Sequence, residues 1–142
     1  MAPCWVEITH DGQFLFTVNT ASGTISRFSI AAGGTLTLLG STPVAAQGGV
    51  GAVDARLSPD GRYLYVDESK AGTVGTFTVT GGTLIELPTS PAKLPAGATP
   101  AGIVVSAGER AVSAWRSGRA PNGSWRIAHA PRHCAPAGSG TS

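Results

Sequence analysis

Three charged side chains in this sequence could take part in hydrolysis: Glu7 in "CWVEIT", and Asp54 and Arg56 in "VDARLS". A carboxylate can take a proton from water, and a guanidinium can hold a developing oxyanion or a phosphate, so a Glu beside an Arg is the minimal kit of a hydrolytic site. The same pair makes an ordinary ion pair or a set of solvated charges equally well. Asp54 has a second use open to it, accepting hydrogen bonds from nearby backbone amides. What sets Glu7 beside Arg56 is their spacing, because the two occupy equivalent positions of an internal repeat.

With an offset of 49 residues, Asp11 falls on Asp60, Gly12 on Gly61, Leu15 on Leu64, Gly23 on Gly72, Thr24 on Thr73 and Phe28 on Phe77. One deleted residue later, "GGTL" at 33–36 falls on "GGTL" at 81–84. A period of this length signals a solenoid or a propeller. Within each copy the apolar residues alternate with a period of two: Ile25, Phe28 and Ile30 in "TISRFSI", Val74, Phe77 and Val79 in "TVGTFTV". Both runs are rich in β-branched and aromatic residues and are expected to be strands. Asp11-Gly12 and Asp60-Gly61 supply the positive φ of a tight hairpin, Ser22-Gly23 and Ala71-Gly72 a second turn, and the Gly-Gly pairs at 33–34 and 81–82 a third.

Four strands and three turns per copy make a four-stranded antiparallel meander. Repeated at this period it matches the blade of a β-propeller, with the first strand of each copy innermost. The expected fold class is all-β: a propeller fragment with blades at about 3–47 and 50–95. The first strand of a third blade follows at 100–106, "PAGIVVS". Residues 1–105 form the partial propeller. Two open blades expose sheet faces and edges that neighbours would cover, so self-association through those faces is expected.

Composition agrees with this. The chain has 142 residues with 20 glycines, 10 prolines and 13% charged residues, which favours short strands and turns over helices. Residues 1–105 hold five basic and seven acidic side chains, a net of −2, whereas residues 106–142 hold five arginines against Glu109, a net of +4. Cys4 and Cys134 stand near opposite ends, with no Cys or His at metal-ligand spacing around Cys4, so neither a disulfide framework nor a metal site is expected. No signal peptide and no membrane span is read, and a cytoplasmic location is the expectation. The abrupt opening strand leads to the expectation of a chain cut from something longer.

After Ser106 the repeat stops. "AGERAVSAWRSGRAPNGSWRIAHAPRHCAPAGSGTS" has Val112 and Ile127 as its β-branched aliphatics and lacks Phe and Tyr. Two readings stay open for 107–142: a disordered basic tail, or a shifted reading frame in GC-rich coding sequence. Its arginines with Trp115 and Trp125 could stack on single-stranded nucleic acid, but nothing presents them, and no nucleic-acid partner is expected. "QGGVGAVD" lacks the Lys-Ser/Thr of a phosphate loop and opens a strand, so it is an interblade connection. His10 holds the place of Pro59 and is expected in a turn. Asn19 and Glu68 share a repeat position and are expected to cap or to make loop hydrogen bonds.

"PCWVEITHDGQFLFTVNTASGTISRFSI" and "VDARLSPDGRYLYVDESKAGTVGTFTV" resemble consecutive blades of the seven-bladed propeller lactonases, the family of bacterial 6-phosphogluconolactonases and the fungal carboxymuconate-cyclising enzymes. The likeness runs over about residues 3–105 and rests on "PCWVEIT", on Asp54 before "LSPDG", and on the "GG-TL-L" blade ends. It implies hydrolysis of a sugar lactone in the central channel without a cofactor. Glu7 would be the base, Arg56 the oxyanion or phosphate partner, and Asp54 a further candidate. A non-catalytic binding propeller and an inactive truncated product are the other readings.

Overall fold

The computed structural model describes residues 3–44 and 51–106. Residues 107–142, for which two readings were open, lie outside the described residues, as does the first half of the connection "QGGVGAVD". Every regular element described is a strand. The first sheet has the order β1 (Pro3–Ile8), β2 (Phe14–Asn19), β3 (Thr24–Ile30) and β4 (Leu36–Pro43), each pairing with the next antiparallel. The second repeats it with β5 (Ala52–Leu57), β6 (Tyr63–Glu68), β7 (Thr73–Thr80) and β8 (Thr83–Glu86). Here the outer position is split, because β9 (Ala92–Lys93) pairs with the start of β7 after an excursion through Leu87–Pro91. The two meanders are the blades expected from the repeat.

The hairpin after each inner strand departs from the two-residue Asp-Gly turn. A type I′ turn needs positive φ at both central residues, yet only Gly12 and Gly61 have it, each at 71°. Asp11 acts instead through its carboxylate, which accepts from Thr9 Oγ1 (2.6 Å) and from the amide of Gln13 (3.0 Å), while the Phe14 amide donates to Thr9 Oγ1. Ser58, Asp60, Arg62 and Tyr63 reproduce this wider loop in the second copy. The hydroxyl two residues before the Asp thus belongs to the motif.

Alternation assigns each blade two faces. On one face of blade 1, Trp5, Glu7, Phe16, Val18, Ile25 and Arg27 share register rows. On blade 2, Ala55, Leu57, Leu64, Val66 and Phe77 form the opposite kind of face. These two faces are packed together, and Phe16, Val18, Ile25, Ala55, Leu64, Val66 and Phe77 are all at 0% exposure in one cluster. The core is therefore interblade, as burial of both faces requires. The far face of blade 1 carries an unbroken apolar row, Ile8–Leu15–Phe28–Leu38, straight across its four strands. Ile8 and Leu38 there are 48% and 61% exposed, whereas Leu57, the repeat partner of Ile8, is 6% exposed.

The expected first strand of a third blade is not a paired strand: residues 101–106 carry no ladder. A strand is defined by its partner, and the hairpin mate of this one would fall beyond residue 106. The segment is nevertheless held against blade 2, through a hydrogen bond from the Ile103 amide to Asp54.

Candidate site on the inner strands

Glu7 and Arg56 come from β1 and β5, the inner strands, which lie next to each other. Because the copies are offset by one blade, equivalent residues become neighbours across the blade boundary. Arg56 NH1 donates to Glu7 Oε2 at 3.2 Å, and the amide of Leu57 donates to Glu7 Oε1 at 3.4 Å. The guanidinium carbon also stands 4.8 Å from the centroid of the Trp5 ring, a cation–π distance. Trp5 and Glu7 thus hold one arginine from two sides. The Arg56 side chain keeps 40% exposure against 15% for Glu7, so the remaining guanidinium donors are open to a ligand.

Asp54 does not join this pair. It is 7% exposed, its Oδ1 accepts from the Ala55 amide (2.7 Å) and its Oδ2 from the Ile103 amide (2.9 Å), which is the backbone-binding use that the sequence left open. Across the β5–β6 register it faces Asp67. Asp67 is 1% exposed and neither oxygen has a well-formed hydrogen bond; its carboxyl is pushed up to about 6 by burial first and by the Asp54 charge second, with the nearby Gly102 amide acting the other way. Asp67 is not among the residues singled out from the sequence; the available signal is the acidic pair Asp67-Glu68 closing "YLYVDE".

The shared position of Asn19 and Glu68 is buried in both copies. Asn19 Nδ2 donates to Thr24 Oγ1 (3.1 Å) and Ser26 Oγ (2.9 Å). Glu68 accepts from Thr73 Oγ1, the equivalent of Thr24, while its Oε1 has no partner and lies where a side chain on Gly75, the equivalent of Ser26, would sit. Burial pushes the Glu68 carboxyl up, and the Thr73 hydroxyl offsets part of the effect. His10 is in the turn, as expected, exposed and beside Gly61. A shallow cavity of about 230 Å³ opens there, lined by Thr9, His10, Asp11, Phe14, Asp60, Gly61, Val79 and Gly81 and by none of Glu7, Asp54 and Arg56.

Among the described residues no group of three or more His, Cys, Asp and Glu is placed to hold a metal ion, and no helix is long and apolar enough to cross a membrane. What the inner strands offer is a carboxylate in contact with a half-open guanidinium. This arrangement can deprotonate water and hold an anionic oxygen, or simply fasten two blades together.

Comparison with known proteins gives a family match over residues 1–112, to the model described as "Lactonase, 7-bladed beta-propeller". Among solved structures, a candidate 6-phosphogluconolactonase of Bacteroides fragilis is 34% identical, with a TM-score of 0.54 over 59% of this chain and 24% of that one. A second, from Bacteroides uniformis, is 29% identical, with a TM-score of 0.55 over 59% and 25%. The periplasmic gluconolactonase of Pseudomonas aeruginosa, 22% identical with a TM-score of 0.54 over 68% and 28%, shares the fold. The chain spans about a quarter of the length of these structures. No curated protein matches it.

Proposed function

This chain belongs to the seven-bladed β-propeller lactonases, and we propose that it carries one part of a channel that opens a sugar lactone of the 6-phosphogluconolactone type. The observation behind this reading is the Glu7–Arg56 contact on adjacent inner strands, at 3.2 Å. Glu7 takes a proton from water, and the hydroxide adds to the lactone carbonyl. Arg56 holds the oxyanion with donors that Glu7 leaves unused. Collapse of the adduct breaks the ring C–O bond, and the proton passes from Glu7 to the departing alkoxide to give the open acid. A carboxylate offers about four lone-pair positions, so two existing hydrogen bonds do not exhaust Glu7. The two candidate 6-phosphogluconolactonases of Bacteroides support the substrate class.

A non-catalytic propeller is the second reading, and the Leu57–Glu7 hydrogen bond favours it, because accepting an edge amide is a fastening role that needs no substrate. The test is a pH-stat assay of the full chain with 6-phosphoglucono-δ-lactone and glucono-δ-lactone. The proposal expects a rate above the spontaneous one that Glu7→Gln and Arg56→Gln each lower by two orders of magnitude or more, the usual scale for a lost base or oxyanion donor. A spontaneous rate from a folded chain, or full activity in both variants, overturns it.

A further inference from the structure

Asp67 plays no part in the proposed hydrolysis, yet its surroundings are unusual. Both carboxylate oxygens are sealed from water, with the Gly102 amide nearby but no well-formed hydrogen bond, opposite a second carboxylate, Asp54, on the neighbouring strand. Over the pair runs the 101–106 segment, which has no strand partner of its own. Ile103 donates its amide to Asp54 Oδ2, and Gly102 comes so near that a Cβ on it would lie 3.6 Å from the same oxygen. The segment is therefore held by carboxylates where other strands are held by ladders. We propose that Asp54 and Asp67 form a proton-controlled clasp on residues 100–106, closed while the pair holds one proton and loosened when both are charged.

The electrostatics around the pair are one-sided. From β5 come Asp54 and, two residues on, Arg56, whose guanidinium is drawn to Glu7 and Trp5. From β6 come Asp67 itself and Glu68, which alternation turns to the other face. β7 sets uncharged Val74 opposite Asp67, and residues 94–106 contain no ionisable side chain. No cation therefore compensates a second negative charge in a site closed to water, and two ionised carboxylates in one such site repel. Lifting the segment admits water and relieves both costs. The proton released by Asp67 goes to solvent, so closure is favoured by acid and weakens as pH rises through about 6.

The test is amide hydrogen exchange of the full-length, isotope-labelled chain at Ile103, corrected for the intrinsic pH dependence of exchange. Protection should fall by up to about tenfold between pH 5 and pH 7.5, the upper half of a roughly hundredfold range that begins below pH 4 if release returns Asp67 to ordinary acidity. Asp67→Asn, which mimics the protonated acid, should keep protection level across that range, and Asp54→Asn should lose it at both ends. Protection in the wild type that ignores pH, or a pH-dependent fall that survives in Asp67→Asn, overturns the proposal. So does a rise in protection on adding Ca²⁺, which would make the pair a cation site.

Discussion

Glu7 and Arg56, 49 residues apart and equivalent in the repeat, meet 3.2 Å from each other across the boundary between two blades. Opposite charges at one repeat position turn an internal duplication into a contact, because each copy sits one blade further round.

That contact should be modest in stability. Arg56 is 40% exposed, and exposed pairs contribute about 0.2–1 kcal/mol. A double-mutant cycle of Glu7→Gln and Arg56→Gln in urea should return a coupling of about that size. A coupling several times larger would mean that water does not reach the pair. Trp5→Leu should weaken the coupling by freeing the guanidinium, and Trp5→Phe should preserve most of it.

Stability should depend on pH through Asp67. Its folded-state pKa lies above its unfolded value, so the stabilisation is complete below about pH 4 and is lost as pH rises to about 6. Two pKa units correspond to about 3 kcal/mol at most. Asp67→Asn should remove this slope and be more stable than the wild type at pH 7 in urea unfolding, while matching it near pH 4. Equal slopes would exclude Asp67 as the origin.

Glu68 and Gly75 should be coupled. A Cβ on Gly75 would stand 2.9 Å from Glu68 Oε1 and 3.2 Å from the Phe77 ring, whereas the first copy accommodates Asn19 and Ser26 at the same two places. Gly75→Ser alone should destabilise by about 1–3 kcal/mol through overpacking. Combined with Glu68→Asn it should cost distinctly less, since the pair then recreates the Asn19–Ser26 hydrogen bond. Additive effects in thermal melts would show that the two copies are not interchangeable here.

The apolar row Ile8–Leu15–Phe28–Leu38 should drive association between copies of the chain. Ile8 and Leu38 are 48% and 61% exposed on a face whose counterpart in blade 2 is buried. Sedimentation velocity should show mass rising with concentration, and Ile8→Lys with Leu38→Lys should return the chain towards the monomer. A wild type that stays monomeric at high concentration would remove the row as an interface.

Much of the fold was written in the repeat. Alternation within each copy and paired glycines at turn positions are local signals, and the strands follow them closely. The turn itself is not legible from Asp-Gly alone, because Asp11 and Asp60 contribute side-chain acceptors and only the glycines take positive φ. The proximity of Glu7 and Arg56 followed from equivalence, which needs no coordinates. Asp67 did not, because its meaning comes from Asp54 on the next strand and from Gly102 and Ile103, parts of the chain that only folding brings together. The split of the outer strand into β8 and β9 was also hidden, since it depends on how Ser90 ties Glu86 to the Thr76 amide.

In both joints between copies, the carboxylate belongs to the earlier unit and the amide to the later one: Glu7 with Leu57, and Asp54 with Ile103. The connection has a direction. A chain made from its N-terminus always completes the acceptor before the strand that needs it emerges, so each new unit can be fastened to a finished one as synthesis proceeds.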